Sequence, residues 1–414
     1  MKVLICAYSC FSESGVKFIG GEALLGWHMV LQLSKEHKVW VFTHGYNQKA
    51  IEQMLQKNPL PNANFCYIIL PKWLSFLERF HGGGIQIYAY LWQIKAYFFA
   101  RKLHKKINFD VFHHLTYAND WMASYIGAFL AVPYIRGPGG GAHRTPKSFL
   151  ATYPLGGRIK EKIRAIGQWM FRHDPVFVIG QRKAKVILVC NNEAFNALPK
   201  KWQKKAQLFP VNGISTEDFN KYLPQSAINN AFSIITAGKL IRLKNFDLAI
   251  RAFKIFDEEF PNSKFSIIGD GQEKSNLLQL AKELKISDKV VFEGWIDRGQ
   301  LLKRVSSADV FLFPSLRDGG GAVVVEAMAL AKPVVCMDIG GPGFHIDGSV
   351  GIKVKPIDPN QAIKEMAAGL SRLYKSKNLR DSLGNAARDR VAKIYLWDKL
   401  GERMLKIYKE NFGS

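Results

Sequence analysis

Two doubly wound α/β domains, each a parallel sheet covered by helices, are the architecture this sequence predicts. Three observations carry that expectation. The chain has 414 residues, about twice what a single hydrophobic core usually serves. Short β-rich runs alternate with amphipathic helical patterns throughout, as in chains built from βαβ units. The alternation pauses at 210–224, a segment carrying Pro, Asn, Gly and Ser, and then starts again. A first domain over 1–215, a second over 216–390 and a closing segment over 391–414 follow. A last helix there can cross back onto the first domain.

Taken in order, the strands of the first half fall at 3–7, 39–43, 65–70, 111–114, 133–135 and 186–190, where β-branched and aromatic residues cluster. Helical spacing of apolar residues places helices between them, at 22–34, 85–106, 120–130 and 158–172. In the second half the strands are 233–237, 265–268, 289–292, 310–313 and 333–337. Helices at 245–260, 272–284, 298–306 and 322–330 alternate with them. Residues 358–412 read as helical and mixed in charge.

Composition narrows the class. Hydrophobic residues make up 48% and charged residues 22%, the balance of a folded chain rather than a disordered one. Five cysteines (Cys6, Cys10, Cys66, Cys190, Cys336) are odd in number and scattered. No Cys-x-x-Cys or Cys/His cluster has zinc spacing, which argues against a disulfide scaffold and a structural metal. The N-terminus MKVLICAYSC reads as a strand, not a signal peptide. No run reaches the roughly 18 apolar residues of a membrane-spanning helix. The nearest, 87–100 and 122–135, are broken by Gln93 and Lys95 and by Gly127 and Pro133. A cytoplasmic protein is expected.

The net charge is +24 and it is unevenly placed, with +18 over 1–215 and +6 over 216–414. A basic first half points to an anionic partner: a phospholipid surface, a nucleic acid or a phosphorylated substrate. No nucleic-acid-binding module is recognisable, so nucleic acid ranks last. Residues 72–106 mix Trp73, Phe76, Tyr88, Trp92, Phe98 and Phe99 with Lys95, Arg101, Lys102, Lys105 and Lys106. Such a mixture suits an anionic membrane interface. It equally suits a buried helix with a charged end.

The most informative motif runs from Phe313 through Asp318, Gly319, Gly320, Gly321 and Ala322 to Glu326. Pro314 stops a buried strand and the glycines lead into a helix. Free N–H groups at such a helix start favour phosphate oxygens. Asp318 and Glu326 bracket the turn, with Glu326 in reach of a hydroxylated group beside the phosphate. In a second segment, Gly238 and Lys239 end a strand and Lys244 opens the next helix. Two fixed cations there can neutralise a diphosphate leaving group without metal. Gly20 and Gly21 open a helix after the first strand in a similar way.

The first of these segments resembles the signature of retaining glycosyltransferases of family 4, which have the GT-B fold, two Rossmann-like domains facing a central cleft. Asp318 stands where that family has its first glutamate, and Lys239 where it has arginine, with Arg242 a possible substitute. The resemblance spans nearly the whole chain and is strongest over 233–345. It implies that the second domain binds a nucleotide diphosphate sugar and the first an acceptor. Catalytic roles then fall to Asp318, Lys239, Lys244, His113 and His114. The histidines lie in Asp110-Val111-Phe112-His113-His114-Leu115, similar to the family's Asp-x-x-His-x-His, with Leu115 at the second histidine position. Donor contacts fall to Gly20, Gly21, Gly238, Lys239, Lys244, Gly269, Phe292, Gly319, Gly320, Gly321, Ala322 and Glu326. Arg136, Gly139, Gly140 and His143, in a loop like the Gly-Pro-x-Gly-Gly loop of one branch, fall on the acceptor side.

What the resemblance implies is a metal-independent hexosyltransferase without cofactor, the nucleotide sugar being a co-substrate. Its acceptor would be a lipid-linked or polysaccharide-precursor glycan of the cell envelope, reached at the inner face of the membrane. Two other readings stand beside it: a nucleotide-sugar hydrolase or epimerase of the same fold, and a non-catalytic nucleotide-sugar-binding module.

Overall fold

The computed structural model describes residues 1–11, 21–79, 84–224 and 231–413. The strands are β1 (Lys2–Ala7), β2 (Lys38–His44), β3 (Ala63–Ile68), β4 (Val111–Thr116), β5 (Tyr134–Gly139), β6 (Val186–Val189), β7 (Ala206–Leu208), β8 (Phe232–Ala237), β9 (Ser263–Ile268), β10 (Val290–Gly294), β11 (Val310–Phe313), β12 (Val334–Met337) and β13 (Gly351–Val354). The helices used below are α1 (Gly21–Leu33), α2 (Gly84–Ile107), α3 (Leu155–Arg172), α4 (Thr216–Lys221), α5 (Phe246–Glu259), α6 (Arg298–Ser306), α7 (Ala322–Ala329), α8 (Gly340–His345), α9 (Pro359–Lys375) and α10 (Trp397–Phe412).

The chain divides into two units. The first is Met1–Ala142 with Ile159–Val211 and Trp397–Ser414; the second is His143–Arg158 with Asn212–Leu396. In the first unit the strands pair in parallel in the order β3-β2-β1-β4-β5-β6-β7. In the second the order is β10-β9-β8-β11-β12-β13, also parallel. Each order reverses once, between β1 and β4 and between β8 and β11. In open α/β sheets such a reversal, at the strands' C-terminal ends, is where ligands bind.

Burial explains why these runs are strands. β11 and β12 are buried at every position, as expected for a parallel sheet covered on both faces. In α5 the apolar residues recur at helical spacing, and Phe246, Ile250, Phe253 and Phe256 join Leu370 and Leu373 of α9 in one core. In α10, Trp397, Leu400, Met404, Ile407 and Tyr408 pack on Val3, Ile5 and Val111 of the first sheet.

Several boundaries differ from the sequence expectations. Residues 143–158, assigned to the first domain, pack with the second unit, because Phe149 enters the core formed by Leu240 and Phe246. β5 runs on through Arg136 and Gly137 to Gly139 instead of stopping at 135, with a register shift between Arg136 and Gly139. The helix expected over 120–130 shrinks to Tyr125–Phe129, capped by the Ser124 hydroxyl. β7 and β13 appear where no strand was expected; with 3 and 4 residues each they carry too little pattern to read.

Candidate active site

The conspicuous polar cluster of the second unit sits at the strand-order reversal, beyond the ends of β8 and β11. After β8, Gly238 and the exposed Lys239 lead into a single 3-10 turn, Arg242–Lys244. Asn245 then adopts a left-handed conformation (φ 47°) that redirects the chain into α5. This turn lays the Lys244 ammonium 5.2 Å above the Phe313 ring and 2.5 Å from Asp318 Oδ2. The Arg242 guanidinium stacks on Tyr153 instead, with Asp247 3.7 Å away.

Asp318 is the centre of the cluster. Its Oδ1 accepts from the Gly321 N–H at 2.7 Å and the Gly320 N–H at 3.2 Å. Gly321, with φ at +65°, turns the chain into α7 in a conformation other residues resist. Burial pushes the Asp318 carboxyl up, but the Lys244 charge and the hydrogen bonds from Lys244, Gly321 and Gly320 outweigh it and hold the group below the usual range. The sequence led us to expect free amides at this helix start. They are taken by a carboxylate of the same loop, so the anion site is formed and internally occupied.

The loop is held from behind by α8. The Gly341 N–H donates to the Asp318 carbonyl at 2.8 Å. The His345 Nε2 lies 2.6 Å from the Gly320 carbonyl and its Nδ1 3.0 Å from the Tyr395 hydroxyl. A carbonyl only accepts, so Nε2 carries the proton and Nδ1 accepts from Tyr395. Burial lowers this imidazole from 6.5 to about 4, keeping it neutral. His143, expected on the acceptor side, lies in this same unit beside Gly319: a Cβ on Gly319 would stand 3.6 Å from its Cε1.

Glu326, one turn into α7, points its Oε1 at the Arg298 Nε, 2.8 Å away. The same guanidinium reaches Asp218 Oδ2 of α4 at 2.5 Å. Arg298 thus orders two acidic side chains from two helices, leaving one edge of each carboxylate for a further donor. Sequence reasoning missed Arg298, Asp218 and His345. The one available signal was the Asp297 cap of α6, whose side chain accepts from the Gln300 N–H and fixes where Arg298 starts the helix.

Gly269 is required for close packing. A Cβ on it would stand 1.9 Å from the Gly238 carbonyl oxygen, so the β8 and β9 loops touch backbone to backbone. Phe292 packs half-buried against the same core. Gly21 begins α1, where the Tyr117 N–H donates to Glu22 Oε1 at 3.0 Å in the first unit. Gly20 lies outside the described residues.

The first-unit residues named from the sequence take packing positions. His113 and His114 are fully buried within β4. His113 donates from Nε2 to the Gly137 carbonyl at 2.6 Å and accepts at Nδ1 from the Tyr408 hydroxyl at 2.8 Å. His114 Nε2 accepts from the Gln93 amide at 3.1 Å. Desolvation keeps both neutral, His113 at about 4 and His114 well below its ordinary value. A catalytic part for either disagrees with this enclosure. Arg136 is buried as well; its guanidinium donates to the Asn119 and Met122 carbonyls and stacks over Phe177. A Cβ on Gly139 would stand 2.2 Å from the Ala118 carbonyl oxygen, and one on Gly140 2.6 Å from the Cys190 sulfur.

Two expected results follow. His113→Phe leaves the Gly137 carbonyl and the Tyr408 hydroxyl unpaired and destabilises the fold by roughly 2–4 kcal/mol. The specific rate of the folded fraction stays within about threefold if the residue is structural; denaturant unfolding with activity per folded molecule checks both. The second concerns pH. A histidine whose folded pKa lies below its unfolded one contributes stability above pH 6.5, lost as pH falls toward 4. His113 and His345 each withdraw roughly 3 kcal/mol over that window. Urea unfolding at a series of pH values should therefore steepen there; a flat profile would contradict the neutral assignments.

Comparison with known proteins adds a family match over part of the chain, and a fold. Residues 218–390 match the family model of glycosyl transferases group 1. An uncharacterized glycosyltransferase of Methanocaldococcus jannaschii is 29% identical over 338 residues, covering 76% of this chain and 80% of the relative. N-acetylgalactosamine-N,N'-diacetylbacillosaminyl-diphospho-undecaprenol 4-alpha-N-acetylgalactosaminyltransferase of Campylobacter jejuni is 30% identical over 206 residues, covering 49% of this chain and 53% of the relative. Among solved structures, Anabaena HepE in complex with UDP superposes with a TM-score of 0.62 at 15% identity, covering 99% of this chain and 100% of that one. Two parallel sheets with their helices constitute the GT-B fold.

Proposed function

We propose that this chain, whose residues 218–390 match the model of glycosyl transferases group 1, moves a sugar from a nucleoside diphosphate donor to a hydroxyl acceptor, retaining anomeric configuration and using no metal ion. The observation that carries the reading is the anion site in which Asp318 holds Lys244 and the Gly320 and Gly321 amides. These groups, with the exposed Lys239, suit a diphosphate at the end of β8 and β11. An arriving diphosphate replaces the Asp318 carboxylate on the amides and shares Lys244 with it. Asp318 then turns to the hydroxyls of the transferred sugar, while Glu326, steadied by Arg298, accepts from the ribose.

In the transfer step, the bond from the sugar's anomeric carbon to the diphosphate oxygen breaks as the acceptor oxygen attacks from the same face. The acceptor proton passes to the departing phosphate oxygen, and the configuration is kept. Charge gathers on the leaving group, where two ammonium groups and two amides are already oriented; that is where they lower the barrier. His345 is fixed neutral and Asp318 ionised, so the protein supplies electrostatics and the substrate supplies the base.

The acceptor we assign is a lipid-linked or polysaccharide-precursor glycan, met on the cytoplasmic face of a membrane and bound by the first unit. The diphospho-undecaprenol in the name of the Campylobacter relative supports this. Incubation of the purified chain with a panel of nucleotide sugars and polyprenyl-diphosphate glycans, in the presence of EDTA, tests it. Product with the donor's anomeric configuration, by NMR and at an undiminished rate in chelator, is expected. An inverted product, a chelator-sensitive rate, or donor turnover only to water would overturn it.

A further inference from the structure

The helix α3 is inside out. From Ile159 to Arg172 it belongs to the first unit, and its polar face points inward. The Gln168 amide donates to the Gly141 carbonyl at 3.0 Å, Arg164 pairs with Glu161 at 3.5 Å, and Arg172 bonds Asp120. Only Phe171 brings an apolar ring to that side, against Tyr90 and Trp121. The opposite face carries Ile159, Ile163, Ile166, Trp169 and Met170 at helical spacing, and all five are exposed, Ile163 by 64% and Met170 by 61%. A soluble surface helix turns its apolar stripe to the core. Here the stripe faces outward and forms one continuous ridge, the kind of exposed patch that marks an interaction surface.

The charges around the ridge identify the partner. The exposed Lys160 and Lys162 flank it, and α3 carries five basic residues against one acidic. A second copy of this chain would set those cations against each other. An anionic bilayer accepts both features, with isoleucine and tryptophan in the acyl boundary and lysine stems reaching back to the headgroups. No helix among the described residues is long and apolar enough to cross a membrane, so a helix lying in the interface plane is the mode that fits. In the segment weighed from the sequence for this role, Tyr88 and Trp92 are buried, while Trp73, Phe76, Phe98 and Phe99 are exposed.

We infer that α3 docks this protein on an anionic lipid surface through the ridge from Ile159 to Met170. Such docking would serve a lipid-borne acceptor, but it is measured without donor or acceptor, so its failure and that of the transfer reading are separate results. Co-sedimentation of the full chain with vesicles of phosphatidylglycerol in phosphatidylcholine, against pure phosphatidylcholine, at low and high salt, is the test. Wild type should bind the anionic vesicles. Ile163→Ser with Ile166→Ser removes apolar area without changing charge and should weaken binding at least about tenfold. Lys160→Glu with Lys162→Glu should abolish the preference for anionic lipid. All four positions face solvent, so unchanged thermal unfolding confirms that the variants fold. Failure of wild type to bind anionic vesicles overturns the inference. So does undiminished binding by the serine pair, which would reduce the effect to net charge. A serine pair that turns a dimer into a monomer while leaving vesicle binding intact would assign the ridge to a second copy and overturn it too.

Discussion

Removing both ammonium groups, Lys239→Ala with Lys244→Ala, should lower kcat/KM by at least about ten-thousand-fold, since each oriented donor to a developing charge is typically worth a hundredfold or more. Most of the loss should fall on kcat, because the charge these groups meet grows in the transition state. The fold should survive. Lys239 is exposed, and loss of Lys244 leaves Asp318 with its two amide donors. The single variants should separate two tasks. Lys244→Ala also frees Asp318 from its ion pair, so diphosphate affinity and carboxylate position change together. Lys239→Ala touches only the incoming ligand. Initial rates and nucleoside diphosphate titration on the three variants check this; a double variant with ordinary turnover would remove the lysines from the chemistry.

Glu326→Ala should act mainly through donor binding. It removes the ribose acceptor and takes one carboxylate from the Arg298 guanidinium, which keeps its bond to Asp218. Losing a charged hydrogen bond in a partly enclosed site is worth about 2–3 kcal/mol, or roughly 30- to 150-fold in kcat/KM. The larger share should appear in KM, since the ribose contact is made equally in ground and transition states. Glu326→Gln keeps an acceptor oxygen and should recover part of the loss. If Glu326→Ala instead lowers kcat with KM unchanged, the side chain acts on the reacting sugar and its assignment must be redrawn.

How much of this was legible in the sequence depends on how far each feature is set by local pattern. Strands buried on both faces betray themselves as short apolar runs, so β1, β8, β11 and β12 were readable directly. β7 and β13 were not, being too short to hold a period, and β5 was not, because Gly137 and Pro138 imitate the end of a strand while the backbone still pairs. At the site, Asp318, the triglycine and Glu326 were visible because their spacing straddles a strand-to-helix turn. What their side chains do without ligand was not visible. Asp318 meets Lys244 only through the adjacency of β8 and β11, and Arg298 meets Glu326 only because α6 and α7 are neighbours. His113 and His114 show the opposite failure. A pair of histidines near a strand end suggests chemistry, yet a sheet covered on both sides buries both alternating faces.

The most direct test is a crystal of the second unit's site, in the full chain, soaked with a nucleoside diphosphate. The account predicts phosphate oxygens within hydrogen-bonding reach of the Lys239 and Lys244 ammonium groups and the Gly320 and Gly321 amides, with the Asp318 carboxylate withdrawn from those amides. A diphosphate bound elsewhere, with Asp318 still closed on Gly321, would contradict it.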